Sequence, residues 1–244
     1  MHTAFLATIA LCLTTLCLAK PAGAGPWMRE KGTAFLSFGH EFAGREAQWT
    51  SLYAEYGLSA RNTLVLDYGR GEKSEEIWLG WQIPLLPPER HQKLSLGTWI
   101  GERKLDGEGV QMYGVGLNWG MGFTDPLWRK NGWLAAEFRH MRAPETVTYD
   151  PAAEGIDPMT LPDPSHLHSQ SFSKLDLTVG WHLRQDWMGF GQLLLYKPDN
   201  DDLSSSLAVS LVKDFRRAQL QIGMVAPLAD GQEPRLKLAL WSTF

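Results

Sequence analysis

Three groups of residues in this chain have types and spacings that could do chemistry. His140 shares its alternation parity with the apolar side chains Leu134, Ala136 and Phe138, and Ser171 and Ser173 share the parity of Leu175 in the next patterned stretch. An imidazole within reach of a hydroxyl is the base and nucleophile pair of acyl transfer, so His140, Ser171 and Ser173 are candidates for ester hydrolysis. No third residue that would orient the imidazole is evident, and a histidine at the end of an apolar face needs no catalytic role. The second group is His166 and His168, near Asp150, Asp157 and Asp163, whose imidazole and carboxylate donors suit a divalent metal. An i, i+2 pair in a loop fixes no coordination geometry, so a solvated surface loop accounts for the same residues.

The third group recurs at alternate positions along much of the chain: Glu41, Glu55, Asp67, Trp78, Trp99, Arg103, Glu137, Arg139, Lys174, Asp176 and Lys237. Such mixed charges could line a path for an ion or small solute, or pair with one another and fill the space. The same choice applies to the tryptophans, which could stack on a solute or pack a lumen. A nucleotide-binding loop, a zinc-protease motif and a nucleophile elbow are absent, so no standard enzyme motif is present. No cofactor is expected.

The elements that position these residues follow from alternation with a period of two, the mark of a strand with one apolar face. Twelve alternating stretches run over 33–42, 49–58, 63–69, 76–85, 93–103, 110–123, 133–142, 172–183, 187–197, 205–215, 219–226 and 235–244. Most have the 9 to 11 residues, roughly, that a tilted strand needs to cross a bilayer. The ninth is ambiguous in register, because Leu193, Leu194 and Leu195 interrupt the alternation. The expected fold class is all-β: a transmembrane antiparallel β-barrel of about 12 strands in an up-and-down meander. The loop over 143–171, rich in Pro and Asp, is expected on the extracellular side, where such barrels carry their longer loops.

The ends of the chain bear on location. Residues 1–24 carry an apolar run from Ala4 to Leu18 and then Ala22-Gly23-Ala24, the small-x-small form read by a signal peptidase. The expected domains are a cleaved signal peptide over 1–24 and an outer-membrane barrel over 25–244. Cys12 and Cys17 both fall in the leader, so the mature chain is expected to lack disulfides, thiol catalysis and cysteine-held metals. Loss of Lys20 takes the formal charge from −4 to −5, a mild acidity with no footprint for nucleic acid.

Alternation alone does not say which face looks outward, since a soluble barrel alternates with its apolar face inside. The polar face decides, because it holds the mixed charges above together with Gly39, Gly57, Gly80, Gly97, Gly114, Gly116 and Gly180 in mid-strand. Crowded barrel interiors accept glycine there, whereas a soluble exterior rarely does. Tyr56, Trp81, Trp119, Phe123, Trp181, Phe215 and Phe244 sit at one end of the apolar face, as in an interfacial girdle.

The last stretch places Leu236, Leu238, Leu240, Ser242 and Phe244 on one face. It resembles the final strand of Gram-negative outer-membrane proteins, and the segment from Tyr56 to Leu64 looks like a periplasmic turn of the same class. Ser242 departs from the pattern, where an apolar or aromatic residue is commoner. The resemblance implies location in the outer membrane, contact with outer-membrane lipid and lipopolysaccharide, and handling by the barrel-assembly machinery. Outer-membrane lipases and deacylases resemble this architecture too, with Ser and His on the lipid-facing wall, although the residues around His140 match no such motif. The expected function is passage of a small solute through a narrow channel, with a lipid-modifying enzyme and a closed structural barrel as alternatives.

Overall fold

The computed structural model describes residues 25–43, 48–105, 108–124, 131–143, 171–199, 201–229 and 233–244. Twelve strands follow one another in these residues. They are β1 (Ala34–Phe42), β2 (Trp49–Ser59), β3 (Asn62–Arg70), β4 (Ser74–Pro84), β5 (Gln92–Leu105) and β6 (Glu108–Thr124). The second half adds β7 (Asn131–Arg142), β8 (Phe172–Arg184), β9 (Trp187–Pro198), β10 (Ser204–Asp214), β11 (Gln219–Pro227) and β12 (Arg235–Thr243). Each strand pairs antiparallel with its chain neighbours, and β1 pairs with β12 to close a twelve-strand, up-and-down barrel. Closure leaves no sheet edge, which a bilayer requires because lipid offers no partner to an open N–H or C=O.

The outer wall carries the apolar half of the alternation. Exposed apolar side chains come from every strand, and Leu79 (57%), Ile100 (63%) and Val209 (64%) are among the most open. A continuous band of this kind is far larger than the apolar patches that water-soluble monomers tolerate. Its solvent is therefore the hydrocarbon of a membrane, and the polar half of the alternation is the lumen. No described helix is long and apolar enough to cross a membrane, so the crossing is made by strands.

Two differences from the sequence reading have physical causes. In β9 the three consecutive leucines do not break the strand: Leu193 and Leu195 stand opposite Leu177 and Leu175 on the lipid face, while Leu194 stands opposite Asp176 on the inner face. The register of β8 settles what composition left open. The β5–β6 pair extends to Leu105 and Glu108, past the apolar stretch, because antiparallel pairing continues through Glu102–Gln111 and Lys104–Gly109 once the backbone groups satisfy one another.

Candidate functional site in the lumen

Contacts between strands that are not sheet neighbours can pass only through the interior, and they identify the inward residues. Arg139 on β7 reaches Asp67 on β3 at 3.0 Å, Arg103 on β5 donates to the Tyr196 hydroxyl on β9 at 2.5 Å, and the Trp78 ring on β4 meets Phe172 on β8. Phe190 on β9 stacks on Trp241 of β12. The lumen so defined has three levels.

The lowest level, at the end bearing the short turns, is occupied by the chain itself. Residues 25–30 do not continue the line of β1 but turn up into the barrel. The turn is fixed by hydrogen bonds from the Thr33 N–H to the Glu30 carbonyl (3.0 Å), from the Gly32 N–H to the Gly57 carbonyl (2.8 Å) and from the Gly57 N–H to the Thr33 carbonyl (3.0 Å). Gly32 has φ +80°, a conformation that costs a residue with Cβ about 1–2 kcal/mol. Gly57 on β2 faces this segment so closely that a Cβ there would overlap the Glu30 carbonyl, and a Cβ at Gly120 on β6, four strands away, would overlap Pro26 and Trp27. Two wall glycines thus make the groove in which the segment lies.

Polar contacts hold it. The Arg29 Nε donates to the Glu55 carboxylate, its backbone N–H donates to Thr63 Oγ1 at 3.1 Å, and its guanidinium lies 4.7 Å from the Phe35 ring centroid. Arg29 and Glu55 are both buried, and the Tyr53 hydroxyl donates a further bond to Glu55 at 2.6 Å. The segment rises as far as mid-barrel, where Gly25 meets Glu137.

Above it a cavity of about 30 Å³ remains, lined by Tyr53, Gln82, Trp99, Asn118, Glu137, Arg139, Lys174 and Asp176. That is room for one or two waters. Arg139 lies flat on Trp99, 3.6 Å from the ring centroid, while bonded to Asp67, and Lys174 pairs with Asp176 at 3.2 Å. The upper level is a side-chain core of Val65, Trp78, Trp99, Met112, Met141 and Phe172. Arg103 lies over both Phe172 and Tyr196 there. On the inner face where β1 meets β12, Glu41 receives Arg235 at 3.3 Å and Lys237 at 3.4 Å.

The lipid-facing candidates are partly brought together. His140 Nδ1 lies 3.0 Å from Ser173 Oγ, its cross-strand partner on β8, whereas Ser171 precedes the strand and its carbonyl accepts the Asp199 N–H at 3.1 Å. Among the described residues nothing else bonds the His140 ring. The same arrangement recurs on β1 and β2, where His40 Nδ1 lies 2.9 Å from Thr50 Oγ1 with Phe42 edge-on to the ring. A histidine–hydroxyl pair built twice on one wall is what satisfying an imidazole beside lipid requires. His166, His168, Asp150, Asp157 and Asp163 lie outside the described residues, and no group of three possible ligands gathers among the described ones. Outside the membrane-spanning part, Lys213 donates to Asp186 in the β8–β9 turn, a bond that holds the Asp186 carboxyl below its ordinary range.

Arg29, Pro26 and Trp27 escaped the sequence reading, since 25–32 shows no alternation. The available signal was negative: eight residues between a cleavage motif and the first strand, bounded by Gly25 and Gly32 and carrying one arginine.

No protein-family model matches the chain, and no curated protein matches it in sequence. Solved structures match its fold. A KdgM porin aligns with a TM-score of 0.59 at 10% identity, covering 86% of this chain and 99% of the porin. The KdgM porin in complex with disordered oligogalacturonate aligns at 0.57, with the same identity and coverage. The COG4313 outer membrane channel from Pseudomonas putida F1 aligns at 0.53 and 14% identity, covering 93% of this chain and all of that one. The shared property is the closed barrel of outer-membrane porins.

Proposed function

We propose that the protein is a narrow outer-membrane channel for a small solute, held in a constricted state by its own amino-terminal segment. The observation that carries this reading is a charge-paired lumen that holds a wall-bound segment, an aromatic core and, beside them, a cavity of about 30 Å³ lined by charged side chains. A barrel meant only as scaffold has no need to gather so many ionisable groups away from bulk water, where each costs free energy unless paired. Acids and bases are balanced along the lumen, so the pairing favours neither sign of solute. The KdgM porin solved with oligogalacturonate supports a solute role for a lumen of this fold. On this reading the outer wall contacts outer-membrane lipid and lipopolysaccharide, and the strand ending at Phe244 is what the barrel-assembly machinery handles.

Single-channel recording in planar bilayers tests the proposal. The expected result is a small conductance that rises when residues 25–30 are deleted; no current from either form at any voltage overturns it.

A second reading, lipid hydrolysis on the outer wall, rests on the 3.0 Å contact between His140 and Ser173. The expected outcome is that His140→Ala leaves phospholipid and lipid A turnover at background, equal to the unaltered barrel. Turnover that the substitution abolishes restores the enzyme.

A further inference from the structure

We propose that Glu137 is the docking site for the α-ammonium group of the mature chain, freed at Gly25 when the peptide bond after Ala24 is hydrolysed. The case begins with the inward carboxylates around the cavity. Glu55 holds Arg29, Asp67 holds Arg139 and Asp176 holds Lys174. Glu137, like Glu76 nearer the upper rim, has no such partner: among the described residues no side-chain cation lies within ion-pair distance of it. The nearest candidates, Arg139 and Lys174, are committed elsewhere, and its cross-strand neighbour on the inner face is the like-charged Asp176. A carboxylate in such a place is costly without a positive partner.

What lies against Glu137 is the backbone of Gly25. A Cβ on Gly25 would stand 2.5 Å from Glu137 Oε1. Gly25 is thus the point where the chain reaches the unpaired carboxylate, and the small-x-small motif ends at the residue before it. Hydrolysis adds one water across the Ala24–Gly25 bond. The carboxylate departs with Ala24, and the amine left on Gly25 takes up a proton, so one positive charge arises beside Glu137. In the uncut chain the same nitrogen is a neutral amide, which cannot supply it. Processing on export and seating of the luminal segment are thereby coupled, whether or not the barrel conducts.

The test uses the barrel purified from outer membranes. Amino-terminal sequencing and intact mass are expected to give a chain beginning at Gly25. Acylation of the folded barrel with an amine-reactive ester, read by peptide mass spectrometry, uses exposed Lys31 as internal reference. Only the neutral amine reacts, so an ion-paired α-amine is expected to label about tenfold slower than the same group unpaired. Glu137→Gln is expected to remove that protection while Lys31 is unchanged. Should that variant fail to fold, the pH dependence of labelling decides: the α-amine of the unaltered barrel is expected to need a higher pH than that of a free peptide with the same first residues, and an equal requirement counts against the proposal. A mature chain that begins elsewhere, or an α-amine equally protected in the folded variant, overturns the proposal.

Discussion

The lower half of the lumen holds a stretch of backbone where the upper half holds side chains alone. Below the cavity a six-residue stretch of backbone, lying in a groove of glycines and held by Arg29 on Glu55, shares the space with a side-chain cluster of Met188, Phe190 and Val212 against which Trp133 and Trp241 pack. Above it the filling is side chains, with Trp78, Trp99, Met112, Met141 and Phe172 contributed by five strands. The difference is one of independence. The upper core is interdigitated with the wall, and a close-packed cluster cannot move without the strands that carry it. The lower segment is joined to the wall by the turn at Gly32 and by a small number of contacts, so it can leave as a unit.

Substitutions can break or sharpen that contrast. The largest effect is expected in the upper half: Trp78→Ala removes a fully buried ring and should lower barrel stability by about 3–5 kcal/mol, read from unfolding in detergent or lipid. Unfolding unchanged from the parent would show that the aromatic cluster does not hold the wall together. Next comes the latch of the lower half. Glu55→Gln leaves Arg29 buried without its carboxylate, a loss of about 3 kcal/mol at the low end for a broken buried pair. That loss should fall on the segment alone, so protease access to residues 25–31 should rise while global unfolding stays near the parent value. A fall in global stability without added cleavage would mean that segment and wall are one unit.

The smallest effect concerns the rim. Because the Asp186 carboxyl is held below its ordinary range by Lys213, its contribution is present above the ordinary carboxylate range and is lost as pH falls through the lowered value. Asp186→Asn should therefore remove a minor acid-sensitive part of the unfolding profile and leave the neutral region almost unchanged. An identical acid limb in the two proteins would show that this bond contributes nothing.

Much of the lumen was legible in the sequence because parity in a strand is a local property. Knowing that Leu134, Ala136 and Phe138 face one way is enough to send Glu137 and Arg139 the other way, and the same reasoning reaches Trp78, Lys174 and Asp176. It fails where alternation fails. Leu193 to Leu195 needed the register of β8, and residues 25–32 needed the wall against which they lie.

The sequence by itself determined the class of the molecule: the strands, their apolar face and the polarity of the interior all follow from period-two patterning, which short-range sterics impose on any extended chain. Only the tertiary structure decided what the interior does with its charges. Arg139 meets Asp67 from 72 positions away and Arg29 meets Glu55 from 26, and neither pairing can be read before the barrel closes. Closure sets which wall faces which across the lumen, so partners, cavity and the path of residues 25–30 are properties of the circle rather than of any strand in it.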